Sequence, residues 1–161
     1  MNIRQLLKEK AQICVDLGKE SVQGFTSLSE VNSTFDVIPW NLPDNCVDIL
    51  RADNILCKIS RENHRFLTWM NEAWRILKYD GQFMIVVPYG MSYNFIQDPT
   101  NINPLNESTF ANFDPLEPFA GKGLYPKYKP NPWRIAHMTF KVEGILEVLL
   151  VKRYKDTSYG K

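Results

Sequence analysis

Asp53 stands at the polar end of the apolar run Cys46–Ala52, and a carboxylate at the carboxyl end of a strand lies where open α/β sheets bind their ligands. There it could accept a proton. The plain alternative is local, since Asp in such a place also caps a helix or closes a turn through hydrogen bonds to its own backbone. Asp98 is a second carboxylate able to take up a proton, and its position before Pro99 equally favours a turn. Little other material for chemistry exists. Cys14, Cys46 and Cys57 show no C-x-x-C spacing and read as buried reduced thiols, so neither a disulfide framework nor a metal site is expected. The only histidines are His64 and His137, and no G-x-S-x-G or H-E-x-x-H pattern occurs.

The elements that would position these residues follow from composition and periodicity. The 161 residues suit one domain, 1–161, with a sizeable core, and 44% apolar content with 12% aromatics excludes a mainly disordered chain. A net charge of +1 gives no whole-molecule field toward nucleic acid or an anionic membrane. A local patch remains: Lys122–Arg134 (KGLYPKYKPNPWR) interleaves basic and aromatic residues, which suits phosphate contact and base stacking, or else a solvated loop anchored by its rings. No apolar run is long enough to span a bilayer, and the N-terminus is interrupted by charge, so a cytoplasmic location is expected.

Residues 3–10 form a short amphipathic stretch, read as a helix or arm, and Ile13–Val15 reads as a strand. Short edge-like strands are expected at Phe25–Leu28 and Phe35–Ile38, and a further strand at Cys46–Ala52. Phe66, Leu67, Met70, Ala73, Trp74 and Leu77 recur at helical spacing, which predicts a helix over 60–78 capped by Ser60 and stopped by Gly81. Trp69 and Trp74 on it are assigned to the core. Phe83–Val87 (FMIVV) then reads as a strand covered on both faces, so a strand–helix–strand crossover is predicted. Residues 91–134 are rich in Pro, Asn and Gly and read as a long loop or lid, with a short helix at Asn106–Asn112. Ile135–Val142 and Ile145–Lys152 predict an antiparallel hairpin, 135–152, closed at Glu143-Gly144. Trp40 and Tyr89 flank strand ends, where a flat ligand could stack.

Three blocks, PDNCVDILRADNIL (43–56), FLTWMNEAWRILKYDGQFMIVVPYG (66–90) and FIQDPTNINPLNESTFANFDP (95–115), together resemble the class I S-adenosylmethionine-dependent methyltransferases, in particular the type 11 group. The resemblance implies a Rossmann-like α/β fold, reduced in size, with a mostly parallel sheet and a C-terminal antiparallel hairpin. It also implies S-adenosyl-L-methionine as cofactor and an unidentified methyl acceptor. Cofactor-binding residues carried over are Asp16 and Gly18 after the first strand, Ser29 and Glu30 after the second, and Asp53 and Asn54 after the fourth. Asp53 and Asp98 are the catalytic candidates.

The sequence departs from that pattern at informative places. The family's Gly-rich turn of the LDLGCG kind corresponds here to Ile13-Cys14-Val15-Asp16-Leu17-Gly18-Lys19-Glu20. Either Asp16-Leu17-Gly18 opens the motif and the next Cys-Gly is missing, or Gly18 is its last glycine and Asp16 replaces the first. The His-x-x-Glu-His pattern of related proteins reads Asn54-Ile55-Leu56-Cys57-Lys58, and their Asp-Pro-Thr-His reads Asp98-Pro99-Thr100-Asn101. A catalytically inactive domain of the same fold, used for assembly, as a homo-oligomer or with a protein partner, is therefore the second reading. Nucleic-acid binding through Lys127 and Lys129 is the third.

Overall fold

A computed structural model describes residues 11–18, 22–116 and 125–156. The amphipathic stretch at 3–10 and the Lys122–Leu124 part of the basic stretch lie outside the described residues. Six strands form one sheet: β1 (Cys14–Asp16), β2 (Thr26–Ser27), β3 (Val47–Asp53), β4 (Leu77–Pro88), β5 (Trp133–Lys141) and β6 (Ile145–Lys152). Their order is β2-β1-β3-β4-β6-β5. The first four run parallel, and β6 joins antiparallel to both β4 and β5. The helices are α1 (Arg65–Ile76), α2 (Tyr93–Ile96), α3 (Glu107–Ala111) and α4 (Tyr125–Tyr128).

Alternation along the strands decides which face is covered. Leu50 and Ala52 of β3, Phe83, Ile85 and Val87 of β4, and Leu146, Val148 and Leu150 of β6 are all buried. They share one core with Trp69, Met70 and Ala73 of α1. Trp69 lies at the centre of that layer, edge-on to Trp40 at 5.4 Å and tilted over Phe83 at 6.2 Å, as its assignment to the core requires. The opposite face is open. Gln82 is exposed and Met84 is 43% exposed, so β4 is covered on one face and not on both. An apolar run alone does not distinguish these cases.

The crossover from β3 to β4 passes through α1, as expected, but the helix is shorter than 60–78. Asn63 and His64 take left-handed φ values of 50° and 58°, which bars a regular helix before Arg65. At its other end Leu77 turns extended and begins β4. Ser60 does not cap the helix; it precedes a separate 3₁₀ turn at Glu62–His64, its hydroxyl accepting from the Glu62 amide at 3.1 Å. Phe35–Ile38 is a turn rather than an edge strand. The Phe35 carbonyl is taken by the Trp69 indole N–H at 2.7 Å, and this part-buried bond takes the place of a ladder bond.

Between β4 and β5 the chain is more than a surface loop. Asn103, Leu105, Phe110 and Phe113 are buried, and Leu105 bridges to Tyr89. The short helix within it starts at Asn106, whose side chain forms a capping box with Thr109. The predicted hairpin is present as β5 and β6. Its turn uses Gly144 at φ +80°, and a Cβ there would also strike Ser92 at 3.0 Å.

Candidate functional site

The carboxyl ends of β2, β1 and β3 are neighbours in the sheet, with Asp16 opposite both Ser27 and Arg51. The nominated residues at 16–18, 29–30 and 53–54 are therefore gathered at one rim. Parallel pairing dictates this, because it puts every carboxyl end on the same side.

Asp16 is buried and both its oxygens are used. The Gly18 amide donates to Oδ1 at 2.6 Å, and Arg51 Nη1 to Oδ2 at 2.5 Å. A Cβ on Gly18 would sit 2.7 Å from that same Oδ1, so glycine is required by the close approach of the chain's own carboxylate. Asp16 thus ends β1, and Gly18 two residues on closes a local turn upon it.

Arg51 links two strands. Its Nη2 donates to Asp53 Oδ2 at 2.8 Å while Nη1 holds Asp16. Hydrogen bonding to Asp16 is the main reason its pKa is raised, with both carboxylates adding Coulombic support. One guanidinium between two carboxylates leaves one formal negative charge on this three-residue cluster, to which Glu30 on the neighbouring turn adds a second. Asp53 Oδ1 accepts from the Asn54 side-chain amide at 2.9 Å, and Asn54 is left-handed at φ 54° with its backbone amide bonded to Val86. Asp53 thus ends a strand, and it is the more exposed carboxylate of the pair: its side chain is 39% exposed against 2% for Asp16.

Ser29 and Glu30 lie on the 3₁₀ turn after β2. Glu30 Oε1 accepts from the Ser27 amide at 3.0 Å in a capping box, and the Ser27 and Ser29 hydroxyls are 2.8 Å apart. The Glu30 side chain therefore folds back on its own turn.

Asn54 also borders a neighbouring cleft of about 380 Å³, lined by Lys58, Gln97, Asp98 and Asn101. There Lys58 Nζ is bonded to Asp98 (2.9 Å), Thr100 (2.5 Å) and Asn101 (3.2 Å). Hydrogen bonds from Thr100, then from Lys58, hold the Asp98 carboxyl well below the usual carboxylate range. Such a carboxylate is a weak base, and its bonds to Thr100 fix the turn at 98–101. Lys58 and Asp98 thus form an ion pair beside Asn101 at the edge of this cleft.

Trp40 is buried and donates its indole N–H to the Thr34 carbonyl, so it is a core residue and is not available for stacking. Tyr89 is engaged too, its hydroxyl on Glu107 at 3.0 Å and its ring edge-on to Phe140 at 5.0 Å. Cys46 and Cys57 are buried thiols whose pKa burial raises to about 11. In the basic stretch, the Lys127 ammonium lies 5.2 Å from the Tyr128 ring centre. Arg51 is the residue that sequence reasoning missed. Its signal was a basic side chain within β3, two positions before Asp53 and therefore on the same face.

No protein-family model matches the chain, and no curated protein matches it. Solved structures do. A Sulfolobus solfataricus protein assigned to the type 11 methyltransferases superposes with a TM-score of 0.53 at 18% identity, over 99% of this chain and 95% of its own. A chain of the Haloferax volcanii complex between the Trm112 methyltransferase activator and its assigned methyltransferase gives 0.55 at 13% identity, over 94% and 88%. PigF, solved with SAH, gives 0.54 at 12% identity, over 94% and 61%. The chain has the Rossmann-like α/β fold of the class I S-adenosylmethionine-dependent methyltransferases, in a divergent form. Among the described residues no helix is long and apolar enough to cross a membrane.

Proposed function

We propose that the chain is an S-adenosylmethionine-dependent methyltransferase acting on an acceptor that approaches from the cleft beside Asn54. The cofactor would lie at the carboxyl rim, with Asp16, Gly18, Ser29, Glu30, Asp53 and Asn54 around it. The observation that carries this reading is the adjacency of three parallel strand ends that bring those residues together. The donor set fits in its charge, since the rim retains net negative charge beside a part-exposed carboxylate, which suits a cationic sulfonium and an ammonium group.

When bound, S-adenosylmethionine supplies a methyl group on positively charged sulfur, and the protein's task is mainly to hold the acceptor in line. Asp16 fixes the Gly18 turn, Asp53 is the proton acceptor where the acceptor must lose one, and Asp98 holds the loop at 98–101 through Lys58. Calorimetric titration with S-adenosylmethionine and S-adenosylhomocysteine tests the reading. Saturable heat from either is expected, with S-adenosylmethionine weakened about tenfold in Asp53→Asn on loss of one rim charge. Absence of heat from both at millimolar protein removes it.

A second reading is a catalytically inactive module that uses the sheet for assembly with a protein partner. What favours it is the self-satisfaction of the rim, where Gly18, Arg51 and Ser27 already occupy oxygens of Asp16, Asp53 and Glu30. The same titration separates the two.

A further inference from the structure

We infer that Arg51 is an internal cation that occupies the anionic rim and sets how strongly it discriminates a charged sulfonium nucleoside from its neutral thioether. This rests on the proposed cofactor reading. Arg51 alone among the described residues spans both rim carboxylates, at 2.5 Å to Asp16 and 2.8 Å to Asp53. Asp16 is nearly inaccessible and its other oxygen is committed to Gly18, so the guanidinium cannot leave without stranding a buried charge. Asp53 is the looser end. A positively charged ligand at the rim therefore competes with Nη2 for Asp53, while a neutral ligand of the same shape gains nothing from that exchange.

The consequence is a ratio. With Arg51 in place the cluster of Asp16, Arg51 and Asp53 holds one net negative charge, and with a neutral side chain it holds two, Glu30 on the neighbouring turn being the same in both. A sulfonium within several ångströms gains from the second charge, on the order of tenfold in affinity at an effective dielectric between protein and water, and the thioether does not. Arg51 is thus a specificity-determining residue, and it also keeps the two carboxylates from repelling one another in the free protein.

The test is calorimetry of S-adenosylmethionine and S-adenosylhomocysteine on the full chain and on Arg51→Gln, Arg51→Lys and Asp53→Asn, each first checked for folding by near-UV circular dichroism. The sulfonium-to-thioether affinity ratio is expected to rise roughly tenfold in Arg51→Gln and to fall in Asp53→Asn. Arg51→Lys, whose single ammonium cannot span both carboxylates, is expected to raise it less. Should Arg51→Gln fail to fold because Asp16 is stranded, the Lys and Asn variants decide by the order of their ratios about the wild type. An unchanged ratio in folded variants that bind both nucleosides overturns the role of Arg51 and leaves the cofactor reading standing. If neither nucleoside binds any form, both fall together.

Discussion

The Lys152 ammonium lies 3.9 Å from the centre of the Trp74 ring, deep in the base of the sheet. Lys152 is 1% exposed, and its Nζ donates to the Asn45 side chain and to the Leu77 carbonyl, both at 2.6 Å. It ties the end of β6 to the turn where α1 becomes β4. Burial lowers its pKa to about 8, against 10.5 when unfolded.

The sign of the resulting pH dependence follows directly. Between pH 8 and 10.5 the unfolded chain holds a proton on Lys152 that the native chain has released, so stability rises with pH through that window. The gain reaches about 1 kcal/mol between pH 7 and pH 9. Above pH 9 Cys46 and Cys57, raised by burial from 9.0 to about 11, act in the opposite sense, because the native state retains their protons. Urea denaturation across this range is expected to show a stability maximum near pH 9, and Lys152→Met is expected to lose the rising limb.

Gly18→Ala places a methyl carbon against Asp16 Oδ1. The turn must open, which separates Asp16 from the Gly18 amide and loosens its hold on Arg51. A loss of about 1–3 kcal/mol is expected from the strain and the broken buried bond. Differential scanning calorimetry measures it, and nucleoside binding should fall by more than the melting temperature alone would suggest.

Trp69→Ala removes one of the two largest fully buried side chains of the core and takes away the donor that satisfies the Phe35 carbonyl. About 3–5 kcal/mol of destabilisation is expected. Equilibrium denaturation gives the value, and a cost under 1 kcal/mol would contradict the packing described for the α1 layer.

Asp98→Ala releases Lys58 and the Thr100 amide, which donates to Asp98 Oδ1 at 2.9 Å. Faster hydrogen exchange at Thr100 and Asn101 is expected, with protection in β3 and β4 unchanged. Exchange no faster than in the wild type would show that the loop is held by other contacts.

Much of the sheet was legible because its signals are local. A β-rich apolar run opened by the Glu143-Gly144 turn marks β6, and Gly144 marks the hairpin. Phe35–Ile38 misled because it has strand composition, and only Trp69, 34 residues on, shows where its carbonyl bonds. The helix start was misplaced for a similar reason: nothing in the residue types at Asn63 and His64 compels a left-handed backbone. At the rim, Asp53 is nominated from the end of an apolar run, and Asp16 and Gly18 from the family resemblance, but the ion pairs by which Arg51 joins Asp16 to Asp53 are not legible in the sequence.

The amino-acid order by itself determined the periodicities, hence which segments become helix or strand, and the turn chemistry of Asp16-x-Gly18 and Glu143-Gly144, since these depend on neighbours within a few bonds. Tertiary structure decided that β1 lies between β2 and β3, that only one face of β4 is covered, and that one guanidinium joins Asp16 to Asp53. The reason is that strand pairing and ion pairing join residues 35 apart in sequence, and their energies depend on distance in space and on exclusion of water, neither of which any local pattern encodes.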